Sequence, residues 1–186
     1  METFYAKDRD EWRAWLQANH AVAKEIWLVY YRKATGKPRV PYNDAVEEAL
    51  CFGWIDSQQK GIDEERFAQR FSPRKPRSSW SESNRVRLRK LIAAGKMEPA
   101  GLAVAREVIL DEPFELPPDI EAALKQEPQT WTNFLAFSED YRRIRVAFVA
   151  SARNRPDVFM KRLRHLVSMT AQNKTFGYAE GLTSER

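Results

Sequence analysis

Hydrophobic and polar positions along this chain keep two rhythms, and the change between them divides it. Trp12, Trp15 and Leu16 recur at helical spacing behind Asp8-x-x-Glu11, a capping-box arrangement, and predict a first helix to about Asn19. The run from Ile26 to Tyr31 is β-branched or aromatic and is closed by Thr35-Gly36, which predicts a buried strand and a turn. Asp44-x-x-Glu47 predicts the start of the next helix, with Val46, Ala49, Leu50, Gly53 and Trp54 on its buried stripe. Residues 55–60 and 66–72, joined through Gly61, predict a β-hairpin in which Phe67, Gln69 and Phe71 alternate with Ala68, Arg70 and Ser72.

A second capping box, Ser79-x-x-Glu82, predicts a helix bearing Trp80, Leu88, Leu91 and Ile92 and stopped by Gly95. Pro99 opens a shorter one with Leu102, Ala103 and Ala105. Three prolines between Asp111 and Pro118 then break the periodicity, and every pattern beyond them is helical. Ile120 and Leu124, Trp131 with Phe134 and Leu135, Tyr141 with Ile144 and Phe148, and Phe159 with Leu163, Leu166 and Thr170 mark four helices. The expected fold class is therefore α+β: a small antiparallel or mixed sheet with helices at residues 1–110, a Pro-rich linker at 111–118, an all-helical part at 119–174 and a mobile tail at 175–186.

Composition narrows the class. With 186 residues, 43% of them hydrophobic, the chain is long enough to bury a core without covalent staples. A single cysteine, Cys51, forms no internal disulfide and is expected to be an inert buried thiol, so a reducing compartment suits the fold. The first residues are charged where a signal peptide would need an apolar run, and no stretch approaches the roughly 18 apolar residues of a membrane span. A cytoplasmic protein without membrane insertion is the expectation. The net charge of +5 is concentrated in two blocks. Between Arg70 and Lys96 nine basic residues stand against Glu82 alone, and between Ser138 and Lys174 nine stand against three acids. Such blocks concentrate anions, so a phosphate, an acidic peptide or a nucleic acid is the expected kind of partner.

The segment Ala49-Leu50-Cys51-Phe52-Gly53-Trp54-Ile55-Asp56-Ser57, followed by Arg70-Phe71-Ser72-Pro73-Arg74-Lys75-Pro76-Arg77-Ser78-Ser79-Trp80-Ser81 and Asn84, resembles the bacterial YdeI or OmpD-associated (OmdA) family. The resemblance extends from Trp27-Leu28-Val29-Tyr30-Tyr31 through Gly95-Lys96-Met97-Glu98-Pro99 to the C-terminal helices. It implies a small α+β N-terminal part, a helical C-terminal part and a role in bacteriocin or antimicrobial-peptide protection. It brings no established catalytic residues.

Read chemically, the same segment offers a candidate anion-binding cleft. Arg70, Arg74 and Arg77 can fork onto a phosphate or carboxylate beside the helix N-terminus that follows Ser72 and Ser79. Asp56 and Asn84 would orient the ligand, and Trp54 and Trp80 would wall it. Competing structural roles are a core position for each tryptophan, an Asp56–Arg70 ion pair across the hairpin, and helix capping for Ser79. Neither His20 nor His165 sits at a metal spacing, and no phosphate loop, dinucleotide fingerprint or nucleophile elbow occurs, so no catalytic residue, metal site or cofactor is assigned. The leading expectation is a non-enzymatic binding protein that takes a small anion or a peptide. A nucleic-acid-binding module using the basic blocks, and an enzyme working in the same cleft, are the alternatives.

Overall fold

The computed structural model describes residues 1–75, 78–106 and 113–177. The described chain divides into two compact units, Met1–Ser79 with Arg87–Ile109, and Trp80–Val86 with Leu110–Arg186. The first is built on a mixed four-stranded sheet and the second is helical.

In the first unit, β1 (Thr3–Tyr5) runs parallel to β2 (Ile26–Tyr31), and β4 (Arg66–Pro73) lies antiparallel between β2 and β3 (Trp54–Gly61), giving the order β1-β2-β4-β3. α1 (Arg9–Asn19) begins where its sequence demands, with the Asp8 carboxylate accepting the Glu11 backbone N–H at 2.9 Å. α2 (Tyr42–Cys51) starts two residues ahead of Asp44, behind Pro41, so the expected cap at Asp44 is instead a buried position in the first turn. Trp54 does not continue the stripe of α2. Gly53, at φ +75°, turns the chain out of the helix, and Trp54 becomes the first residue of β3.

Register decides which side chains meet the helices. Ile26 faces Phe71, Leu28 faces Gln69 and Tyr30 faces Phe67 across β2 and β4, while Asp56 faces Phe71 across β3 and β4. These residues share one side of the sheet, where Trp12 of α1 packs on Phe71 at 5.2 Å and Trp15 meets Trp54 edge-on. Trp27, Val29 and Ala68 occupy the other side with Tyr5 against them. Trp12 also donates through Nε1 to the Ala45 carbonyl at 3.0 Å, which ties α1 to α2.

Two further devices hold the helical layer. Glu48, 2% exposed, accepts from both Arg9 and Arg13 of α1, and Arg13 reaches on to Glu98. α3 (Glu82–Ala93) ends in a Schellman arrangement, Gly95 donating to Ile92 and Lys96 to Leu91. α4 (Pro99–Ala105) then lies directly on the C-terminal end of α2 through the buried Gly101, whose missing side chain permits the contact: a Cβ there would stand 2.2 Å from the Cys51 carbonyl oxygen. Leu102, expected on the buried face of α4, is exposed.

The second unit stacks α5 (Pro118–Leu124), α6 (Pro128–Ala136), α7 (Glu139–Ala150) and α8 (Pro156–Ala171) around Ile120, Leu124, Phe134, Val149 and Leu166. Ser138 caps α7, and Asn133 of α6 donates to the Thr170 carbonyl of α8 at 2.9 Å. Leu135 and Phe148 depart from the expected core stripes and are half exposed. Of the tail expected from residue 175, Phe176 packs on Tyr141, and residues 178–186 lie outside the described residues. Among the described residues no helix is long and apolar enough to cross a membrane.

Gly101→Ala is expected to destabilise by on the order of 3 kcal/mol, because two backbones must separate to admit the methyl group. Gly61→Ala, which meets nothing within 4 Å, should stay within about 0.5 kcal/mol of the parent in the same urea titration. Glu48→Ala removes the carboxylate that Arg9 and Arg13 share but leaves them Glu47 and Glu98, and a loss of about 1.5–3 kcal/mol is expected by the same measurement.

Candidate functional site

The sheet separates residues that lie close together in sequence. Asp56 and Trp54 share the helix-facing side, whereas Arg70 and Ser72, one position out of phase with Phe71, take the other side. Trp54 is 1% exposed and donates through Nε1 to the His20 carbonyl at 3.2 Å, which makes it a core residue. Arg70 pairs with Glu25 at 2.6 Å and not with Asp56. That contact holds the Glu25 carboxyl below its ordinary range. Ser72 faces Ile55 across the hairpin.

Ser79 is not the helix cap. α3 begins at Glu82, and Ser81 accepts the Asn84 backbone N–H through both its hydroxyl, at 3.3 Å, and its carbonyl, at 3.0 Å. Ser79 instead presents its carbonyl to Arg74 Nη2 at 2.7 Å. Arg77 lies outside the described residues, and Trp80 and Asn84 belong to the second unit. Of the nine residues singled out by sequence, Asp56 and Arg74 therefore remain together in a polar setting, with the Ser79 carbonyl beside them.

Around Asp56 the fold assembles groups drawn from four elements. Tyr42, the first residue of α2, donates its hydroxyl to Asp56 Oδ2 at 2.7 Å. Arg74, directly after β4, is 8% exposed, and its backbone N–H is held by the Gly53 carbonyl at 2.9 Å. Arg87 of α3 is 5% exposed and donates to Asn43 Oδ1 at 2.8 Å. Tyr30 of β2 stacks on Phe67 at 5.1 Å, and its buried hydroxyl makes no hydrogen bond among the described residues. Pairing of β3 with β4 slips between Asp56 and Gln59, a bulge that interrupts the ladder directly after the carboxylate.

The electrostatics follow from burial. Desolvation pulls both Arg74 and Arg87 below the ordinary arginine value, against the opposing pull of Asp56 and, for Arg87, of Tyr42 and Glu47. Burial pushes the Tyr30 hydroxyl up, with Tyr42 and Asp56 adding to the rise, so it is a neutral donor. Two desolvated guanidiniums and a neutral hydroxyl thus stand around the hydrogen-bonded Asp56 carboxylate, with Glu47 also acting on Arg87. No group of three His, Cys, Asp or Glu suited to a metal occurs among the described residues.

Sequence reasoning missed Tyr30, Tyr42, Asn43 and Arg87. Arg87 did carry a signal: it stands four residues before Leu91, on the apolar stripe of its helix, where a solvated arginine has no place. Elsewhere, an open groove of about 340 Å³ in the second unit is lined by Glu82, Pro113, Phe114, Glu115 and Arg143, two acids to one base.

Residues 4–104 match the family model described as a domain of unknown function, DUF8412, and residues 113–173 match the one described as bacteriocin-protection, YdeI or OmpD-associated, OmdA. The motifs around Gly53, Arg74 and Ser79 fall within the first of these matches. No curated protein and no solved structure matches the chain.

Cys51, beside the α4 contact, is fully buried, and desolvation pushes its thiol from 9.0 up to about 11. Its folded value is raised, so the associated stability is present below the ordinary thiol range and is lost as pH climbs toward about 11. Thiolate absorbance near 240 nm should appear at pH 9–10 in urea but not in the native protein, and a native thiol that reacts fully with an aromatic disulfide at neutral pH would contradict this burial.

Proposed function

The chain belongs to the DUF8412 family and carries an OmdA domain of the YdeI or OmpD-associated type, and from that premise we propose that it is a non-enzymatic binding protein which captures a small anion at the Asp56–Arg74–Arg87 cluster. The observation that carries this reading is the placement of two guanidiniums, each more than nine-tenths buried, beside the Asp56 carboxylate, which a tyrosine already occupies. A carboxylate or phosphate entering beside them would recover part of the solvation both arginines lose, and the Tyr30 hydroxyl would donate to it. Asp56 and Tyr42 act in this reading as a fixed fence that orients the arginines. Neither a nucleophile nor a general base is required of the site.

The wider role follows the description of the OmdA family: protection of the cell against bacteriocins or antimicrobial peptides, exercised in the cytoplasm. A cationic peptide does not suit a cluster of arginines, so protection would run through the anion bound and not through direct capture of the peptide. In the same reading residues 1–110 form the anion-binding domain and residues 119–174 the OmdA-like helical domain, joined by 111–118.

The test is a thermal-shift screen of the whole protein against inorganic phosphate, nucleotides and small carboxylates at two salt concentrations. A ligand at a hundredfold excess over its Kd adds about 2.7 kcal/mol, which is a rise of several degrees. The expected outcome is a salt-resistant rise from one small anion, lost in Arg74→Ala. No rise from any small anion, or the same rise in Arg74→Ala, would refute the assignment.

A further inference from the structure

Among the described residues, the second unit carries cations on α7 and α8 that pair with no carboxylate. In the first unit Arg9, Arg13, Lys37, Arg66 and Arg70 each sit on an acid. On α7 and α8 of the second unit, Arg145, Lys161, Arg162 and Arg164 have none within ion-pair distance among the described residues, although Arg143 of α7 and Arg153 in the turn between the helices do.

Arg145 is the least expected of these. It is 6% exposed, and its Nε is buried without a hydrogen-bond partner. Its guanidinium lies 5.2 Å from the Phe148 ring centre and 4.8 Å from that of Phe176. Desolvation holds it below the ordinary arginine value. Phe148 is 42% exposed and receives a second guanidinium from α8: Arg162 stands 3.8 Å from the ring centre and is fixed there by donating to the Phe148 carbonyl at 2.7 Å and to Ser151 Oγ at 3.0 Å. At the other end Phe176 meets the edge of His165 at 4.5 Å. Arg162, Phe148, Arg145, Phe176 and His165 thus form an alternating series of planar cationic and aromatic groups, with the exposed Lys161 next to Arg162.

The geometry points to this α7–α8 face as a binding surface for single-stranded nucleic acid. Three physical requirements of such a surface coincide here. The half-exposed Phe148 and the Arg162 guanidinium laid over its ring together offer planar groups against which a base can stack. Uncompensated cations beside it attract phosphates, and the buried charge of Arg145 adds to that potential without being spent on an internal acid. The planar guanidinium of Arg162 can stack and pair with phosphate together, which an ammonium cannot. This surface uses none of the residues of the Asp56 cluster, so the two assignments stand or fall independently.

The experiment is fluorescence anisotropy of the full chain with labelled oligo-dT and oligo-U at low and moderate salt, with circular dichroism as a check on folding. The expected result is binding whose logarithm falls linearly with that of salt. Phe148→Leu, which removes the ring but keeps bulk, should weaken binding roughly tenfold, while Phe148→Tyr, which keeps the ring, should bind like the parent. Arg162→Gln should weaken binding and lower the salt slope by about one, more than Arg155→Gln, an exposed arginine outside the series, does. Absence of oligonucleotide binding by the folded parent would overturn the proposal. So would equal losses in Arg155→Gln and Arg162→Gln with none in Phe148→Leu, or binding confined to phosphatidylserine vesicles.

Discussion

Glu48 holds a charge almost wholly removed from water, and much of the first unit is arranged around the need to neutralise it. Two arginines of α1 converge on its carboxylate, and one of them continues to Glu98 at the entry of α4. An isolated buried carboxylate would cost several kcal/mol, so α1 and α2 have one mutual position in which it is tolerated. That position sets the direction of α2 and therefore places Tyr42 and Asn43, in its first turn, against Asp56 and Arg87. At the opposite end of α2, Gly101 lets α4 settle on the Cys51 carbonyl with no side chain between them. The helix that supplies Tyr42 and Asn43 to the Asp56 cluster is thus pinned by charge along its length and by close packing at its C-terminal end.

The sheet contributes a sorting rule. Because side chains alternate, the hairpin that carries Asp56, Arg70, Ser72 and Arg74 cannot present all of them to one ligand. Arg70 is delivered to the far side, where Glu25 is within reach, and Trp54 is taken into the core with Trp15. What remains on the helix side is Asp56, with Arg74 leaving the strand end toward it. The ring of polar groups is completed from β2, α2 and α3, the elements that flank the hairpin in sequence on either side.

Both units pair part of their surface cations with acids and stack others on aromatic rings. In the first, the deeply buried Arg74 and Arg87 are gathered at a single cluster. In the second, α7 and α8 stack Arg145 and Arg162 on Phe148, which retains the charge while lowering the cost of ordering the side chains. A pairing of cation with acid consumes its field, whereas stacking on an aromatic ring leaves it available to an outside anion.

The local elements were legible in the sequence because they depend on neighbours a few residues away. The cap at Asp8, the strand from Ile26, the hairpin through Gly61, the stop at Gly95 and the four C-terminal helices all follow from spacing and turn chemistry, and with them the α+β class. Motif resemblance reached the OmdA family on the same linear information. The candidate site was only half legible. Asp56 and Arg74 could be named, but a capping pattern is degenerate by one or two residues, so Ser79 was read where Ser81 serves, and the αL turn at Gly53 moved Trp54 from a helix to a strand. Arg87, Tyr42 and Tyr30 could not be joined to Asp56 from the sequence, because what unites them is the packing of α2 and α3 over one side of the sheet. Sequence by itself determined the elements and their buried stripes, since those are fixed by short-range periodicity. Tertiary structure alone decided which charges are neutralised and which are left to a ligand, since that depends on distances between residues that only burial of the core brings together.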